Sequence, residues 1–239
     1  RKEAVRELHQ RGIEHLIVIG GDGSLKAASQ LRSESGLHIN LVPASIDNDV
    51  GGTDYSVGFD TAVNTAVEAI DKIRDTATSH ERLFVVQVMG REHGFIAIEV
   101  GLACGAEAIL IPEFSFNVTH IAKQLQQGRA RGKKSSVIVM AEGAGDVNAF
   151  AKKISKLTGL DVRVSVLGHI QRGGSPTAFS RLLAARLGAE AVKALSRKKS
   201  GFVVGWMNQK VVLTPFSLAT RLKREVDTAS FKLAEVLAK

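Results

Sequence analysis

The chain has 239 residues, 44% hydrophobic and 23% charged, the composition of a globular protein long enough to bury a core in one or two domains. No apolar run approaches the ~20 residues that span a bilayer, no secretory pattern opens the chain, and the single cysteine, Cys104, excludes an internal disulfide scaffold and fits a reduced, cytoplasmic setting. The net charge of +8 invites nucleic acid, but aromatic content is only 5% and the basic residues are dispersed, so small phosphorylated anions are the better match.

In chain order, Arg1-Lys2-Glu3 opens without an initiator methionine in an amphipathic pattern (Ala4, Val5, Leu8, with Gly12 as stop). A start inside a helix is expected of a piece of something longer. Leu16–Ile19 reads as a strand, Gly20-Gly21-Asp22-Gly23-Ser24 as a glycine turn, and Leu25–Leu31 as a helix. That order presents free backbone N–H groups to phosphate at a helix N-terminus, with Asp22 as an oxygen ligand for Mg²⁺ and Ser24 as N-cap or phosphate donor. An ordinary tight turn fits the same residues.

The apolar run Leu37–Pro43 ends in Ser45-Ile46-Asp47-Asn48-Asp49, followed by the glycine-rich Val50–Asp54. Acids at the C-terminal end of a buried strand stand where open α/β sheets bind ligands. If extended geometry continues, Asp47 and Asp49 share a side; an Asx turn bonding its own backbone is the other reading. Asp60 is expected to cap a helix over Thr61–Arg74. Leu83–Met89 is a strand ending in Gly90-Arg91, where backbone and a guanidinium can meet a ligand, although a solvated loop arginine fits equally.

Further on come a helix over Phe95–Cys104, a strand over Ala108–Ile111, and a helix over Val118–Ala130 capped by Asn117, then the basic turn Arg131–Lys134. Val137–Met140 is a strand closed by Glu142, Val147–Leu157 a helix, and Val162, Val164 and Val166 alternate as a strand. Gly168-His169-Ile170-Gln171-Arg172-Gly173-Gly174 crowds polar groups between glycines before a helix over Pro176–Ala194. Phe202–Met207 and Lys210–Leu213 form a hairpin around Asn208-Gln209, and one or two helices over Ser217–Ala238 close the chain. Alternating strands and helices argue for an α/β fold with parallel sheets.

Taken together, Gly20–Ser24, Ser45–Asp49, Met89–Arg91, Glu142 and Gly168–Gly174 resemble 6-phosphofructokinases, over nearly the whole chain. Ile-Asp-Asn-Asp and Gly-His-Ile-Gln-Arg-Gly-Gly in this order carry the resemblance; Gly-Gly-Asp-Gly is shared with other kinases. It implies two similar α/β domains with mainly parallel sheets flanked by helices. Residues 1–58 with 171–221 would be the remainder of a nucleotide-binding domain, and 59–170 with 222–239 a sugar-phosphate-binding domain. The implied reaction moves the γ-phosphoryl group of ATP to the 1-hydroxyl of fructose 6-phosphate.

By the same resemblance Asp47 is the base, Arg91 stabilises the group in flight, and Ser45 binds along that path. Gly21, Asp22, Gly23 and Ser24 hold the nucleotide, and Asp22 with Asp49 handles Mg²⁺. Met89, Gly90, Glu142, His169 and Arg172 hold the sugar phosphate. Arg82 and Arg163 reach it across a subunit interface, which implies a homotetramer. Arg74, Gly105, Glu107, Arg131 and Lys133 match an effector site for ADP or phosphoenolpyruvate. Pyrophosphate-dependent relatives carry Asp at the position of Gly23 and Lys at that of Ala44, so the resemblance points to ATP. Ser180 stands where an Asp is common, and the family's first phosphate loop lies N-terminal to anything in this chain. A pyrophosphate-dependent enzyme and a non-catalytic subunit or inactive fragment that binds sugar phosphate are the alternatives.

Overall fold

The computed structural model describes residues 2–78, 82–133 and 135–237, so Arg1, Lys134 and Ala238 of the expected elements lie outside it. Helix α1 (Lys2–Gln10) leads to strand β1 (His15–Gly20), α2 (Asp22–Ser35), β2 (His38–Pro43) and α3 (Phe59–Thr78). There follow β3 (Leu83–Val88), α4 (Phe95–Ala103), β4 (Ala108–Leu110), α5 (Val118–Ala130), β5 (Ser136–Ala141), α6 (Val147–Thr158) and β6 (Val162–Val166). The chain ends with α7 (Ala178–Ser196), β7 (Phe202–Met207), β8 (Lys210–Pro215), α8 (Phe216–Ala219) and α9 (Thr228–Leu237). Among the described residues no helix is long and apolar enough to cross a membrane.

The chain divides into two compact units, one of Arg1–Asp60 with Pro176–Arg224 and the other of Thr61–Ser175 with Glu225–Lys239. In the first, four strands run in the order β1-β2-β7-β8, parallel except for the last pair. Alternate side chains divide between its faces, as a period of two requires. Ile39, Leu41 and Val203 pack with Leu25, Ala28, Phe216 and Ala219, while Val42 and Val204 meet Leu183, Leu187 and Ala191 of α7. Each Val, Leu, Ile or Phe among them contributes about 1.5–3 kcal/mol when fully buried.

Asn40, wholly buried in β2, is a polar exception that pays its way. Its amide donates to Lys199 O (3.0 Å) and accepts from Phe202 N (3.0 Å), which fixes where β7 enters the sheet.

The second unit has the order β4-β5-β3-β6, wholly parallel. Leu83, Val85, Ile138 and Met140 form its core with Ile121 and Leu125 of α5 and Phe150 and Ile154 of α6. Helix α4 is apolar nearly all round and packs against β4 and β5; a Cβ at Gly101 would lie 2.4 Å from Ile109, so only glycine permits that approach. Burial pushes the Cys104 thiol up to about 11, leaving it protonated and unreactive at neutral pH.

Two expectations are corrected. Helix α2 begins at Asp22 with Gly21 as N-cap, so Ser24 lies inside the first turn instead of capping it. Asp60 is likewise inside the first turn of α3, and its carboxylate accepts from Thr177 Oγ1, the hydroxyl that caps α7 at Ser180 N (3.2 Å). This half-buried acid supplies negative charge near the start of α7, where Ser180 itself carries none. The closing segment forms two helices, α8 and α9, within the one or two expected, and the chain leaves the first unit at Arg224.

The β7–β8 hairpin turns on Asn208 (φ 49°) and Gln209 (φ 61°), both left-handed. A two-residue turn of this kind matches strand twist but favours Asn-Gly, since a side chain other than Asn, Asp or Gly is strained there. Gln209→Gly should therefore stabilise the protein by about 1 kcal/mol, read as a rise in melting temperature of about 2–4 °C.

Candidate functional site

In the first unit two turns follow neighbouring parallel strands at their C-terminal edge, and Ala44 N donates to Gly20 O (3.0 Å) between them. No side chain caps the start of α2, so its first-turn N–H groups, with the positive end of the helix dipole, form an anion-binding arrangement. A Cβ on Gly21 would sit 3.3 Å from Ser45 Cβ, which places the two turns in contact; one on Gly23 would meet nothing within 4 Å. Gly21, Asp22, Gly23, Ser24 and Ser45 are thus brought together.

Extended geometry does not continue through the acidic turn. Asp47 N donates to Ser45 Oγ (3.2 Å), and Asn48 adopts φ 56°. Asn48 is 1% exposed and organises the turn: its Nδ2 donates to Asp54 O (3.1 Å), and its Oδ1 accepts from Ser56 N (2.8 Å) and Ser56 Oγ (3.1 Å). Arg224 Nη1 donates to Asn48 O (2.7 Å). Asp47 is buried at 5% exposure.

Lys26, four residues after Asp22, pairs with its carboxylate at 2.6 Å. The hydrogen bond it donates to Asp22, with a smaller contribution from Asp49, raises the Lys26 ammonium above the usual lysine range. Asp49 Oδ1 is buried without a hydrogen-bond partner among the described residues, an orphan of the kind a cation would satisfy. Among the described residues no cluster of three or more acidic, histidine or cysteine side chains could hold a metal by itself. Asp22 and Asp49 therefore fit Mg²⁺, which is held by one or two carboxylates and completed by phosphate and water oxygens.

In the second unit the turn after β3 is held by acceptors from two other loops. Glu142 Oε1 accepts from Gly90 N (3.2 Å) and Arg91 N (2.7 Å), and Gln171 Oε1 accepts from Met89 N (2.9 Å). Gly90 (φ 135°) and Arg91 (φ 53°) are both left-handed; a Cβ on Gly90 would lie 2.6 Å from His93 O, and one on Gly143 2.2 Å from Arg91 O. Met89, Gly90, Arg91 and Glu142 are joined to the Gly168–Arg172 turn, on which His169 and Arg172 are exposed.

Arg82 and Arg163 stand elsewhere. They flank the N-terminal ends of β3 and β6, whereas Met89–Arg91 follows the other end of the six-residue β3. Six residues of strand separate these edges by roughly 20 Å. The same N-terminal edge carries the residues expected to form an effector site. Arg74 donates to Cys104 O beside Gly105, whose left-handed backbone faces open space, and Lys133 pairs with Glu107 at 2.8 Å. Glu107 also accepts from Val137 N, and Arg131 is exposed at the end of α5.

Lys26, Asn48 and Gln171 were missed as parts of the site. Lys26 carries a signal in its spacing from Asp22. Asn48 and Gln171 act through loop contacts 8 and 82 residues away in sequence, and no local pattern reports those.

The phosphofructokinase family profile matches residues 1–195. The chain is 51% identical over 240 residues to an ATP-dependent 6-phosphofructokinase 1 of Thermus thermophilus, and 50% over 238 residues to an ATP-dependent 6-phosphofructokinase of Brevibacillus brevis. Each alignment covers 100% of this chain and 74% of the relative. Among solved structures, phosphofructokinase from Saccharomyces cerevisiae superposes with a TM-score of 0.84 at 32% identity, over 98% of this chain and 34% of that one. The fold and site define a sugar-phosphate kinase architecture. The chain belongs to the phosphofructokinase family.

Because Asn48 supplies the turn's side-chain bonds, Asn48→Ala leaves a buried N–H unsatisfied and places alanine in a left-handed conformation. The expected loss is about 2–4 kcal/mol, measured by denaturant unfolding of the two proteins.

Proposed function

We propose that the protein transfers the γ-phosphoryl group of ATP to the 1-hydroxyl of fructose 6-phosphate, giving fructose 1,6-bisphosphate and ADP. The observation that carries this is the glycine-led start of α2, packed on Ser45 and flanked by Asp22 and Asp49, in a chain half identical to ATP-dependent 6-phosphofructokinases. Phosphoryl transfer asks the protein mainly for positioning and charge. The residues divide these tasks.

Asp47 accepts the hydroxyl proton as the 1-oxygen attacks, and its burial keeps water from competing for it. Gly21, Asp22, Gly23 and Ser24 hold the nucleotide, the α2 N-terminus facing its phosphates. The open space over Gly23 leaves room for a longer donor than pyrophosphate, which favours ATP. Asp22 and Asp49 would hold Mg²⁺, which supplies charge neutralisation on the donor phosphates when bound. Ser45 and Arg91 bind and steady the group in flight, and Met89, Gly90, Glu142, His169 and Arg172 orient the sugar phosphate.

Arg82 and Arg163, roughly 20 Å along the strands from Met89–Arg91, serve a substrate held by a neighbouring subunit, which requires an oligomer and fits a homotetramer. Arg74, Gly105, Glu107, Arg131 and Lys133 form an effector site for ADP or phosphoenolpyruvate, and a cytoplasmic setting follows from these ligands.

The test is product formation from fructose 6-phosphate and Mg²⁺ with ATP or pyrophosphate. Bisphosphate is expected with ATP only; activity with pyrophosphate alone would overturn the donor reading. Asp47→Asn should lower kcat by about 10²–10⁴-fold with KM for the sugar phosphate nearly unchanged. A rise in KM with kcat intact would remove Asp47 from the role of base.

A further inference from the structure

Asp161 has no role in the reaction described above, yet Arg82 and Arg163, at the N-terminal edge of the second unit, converge on it. Register pairs Leu83 with Val162, so Asp161 stands opposite Arg82, and Leu83 N donates to Asp161 O (3.1 Å). Arg163, two residues on, shares its face of the strand. A single carboxylate oxygen, Oδ2, accepts from Arg82 Nε (2.9 Å), Arg163 Nε (3.3 Å) and Arg163 Nη2 (3.1 Å). Each guanidinium has five N–H donors, of which Asp161 takes one from Arg82 and two from Arg163, so most remain for a ligand.

We infer that Asp161 is a positioning residue: it locks Arg82 and Arg163 into one preformed clamp for a phosphomonoester dianion. This rests on the reading that these arginines meet the sugar's phosphate. Two guanidinium groups brought together repel one another, and each arginine carries substantial rotamer entropy. A carboxylate shared between them offsets the repulsion and holds both forks before the ligand arrives, so less order is lost on binding. The Arg163 guanidinium, and then that of Arg82, holds the Asp161 carboxyl below the usual carboxylate range, so the clamp stays assembled at neutral and mildly acidic pH.

Asp161→Asn separates this from simple electrostatics, because the two make predictions of opposite sign. Deleting a negative charge beside an anion site strengthens phosphate binding if charge alone matters; loss of positioning weakens it. The experiment is steady-state kinetics of Asp161→Asn, Asp161→Glu, Arg163→Ala and the Asp161→Asn/Arg163→Ala double variant of the enzyme, each first shown to melt like the parent. Expected is a rise of about fivefold in KM for fructose 6-phosphate in Asp161→Asn, with kcat and KM for ATP within twofold, and partial rescue by Glu. In the Arg163→Ala background the Asn substitution should add little, since a shared clamp is non-additive. If Arg163→Ala leaves KM for the sugar phosphate unchanged, the reading of the arginines fails and the clamp with it. If Arg163→Ala raises that KM while Asp161→Asn lowers it, leaves it unchanged or acts additively, the clamp alone is overturned.

Discussion

The acidic turn depends on one buried amide. Asn48 holds a left-handed backbone that most residues avoid, and its side chain bonds both Asp54 and Ser56 across the loop. Without that amide, neither the Asp47 carboxyl nor the neighbouring Ser45 hydroxyl would have a fixed position. Arg224 reinforces the turn through the Asn48 carbonyl, so a residue from the far end of the unit's sequence also holds it. Two acids in a turn repel each other, and the surrounding bonds must outweigh that repulsion. The arrangement stores function in a segment that is otherwise electrostatically unfavourable.

The second unit solves the same problem with different chemistry. The Gly90-Arg91 turn exposes consecutive backbone N–H groups, and acceptors from the Glu142 and Gln171 loops satisfy them. Three loops after parallel strands become one rigid surface, because each lends a hydrogen-bonding group to another. Gln171 is 1% exposed, yet its Nε2 has no hydrogen-bond partner among the described residues. An unsatisfied donor at this depth is the group most affected by any shift of the His169–Arg172 turn.

Much of this was legible in the sequence. The strands from Leu83, Val137 and Val162 and the helix from Val118 declare themselves by apolar periodicity and, for α5, by a capping asparagine whose side chain accepts from His120 N. The α/β class followed from their alternation. What local pattern could not convey was how loops satisfy one another. Asp60 looked like a cap because an acid before an apolar run usually is one; the structure gives its carboxylate to a hydroxyl 117 residues away. For the acids at 47 and 49 a shared strand face and an Asx turn both fitted the sequence; the structure has the turn, with the asparagine between them left-handed, and that conformation has no local signature. The resemblance to a family supplied roles for these residues, but not the hydrogen bonds that make the roles possible.

The geometry of β3 carries a consequence for assembly. A parallel strand has two chemically different ends, and this one has residues proposed to bind ligand at both: Met89, Gly90 and Arg91 after it, Arg82 before it. No sugar phosphate spans the roughly 20 Å of six extended residues, so the arginines at the N-terminal edge cannot serve a ligand bound at the C-terminal edge of the same chain. Either they bind an anion of their own or they complete a site on another copy. The second alternative makes the occupancy of one site depend on the alignment of its neighbour, which is the physical requirement for cooperative binding. Under that second alternative, a fold with cations at both ends of one strand gives copies of the chain a route by which to sense one another's substrate.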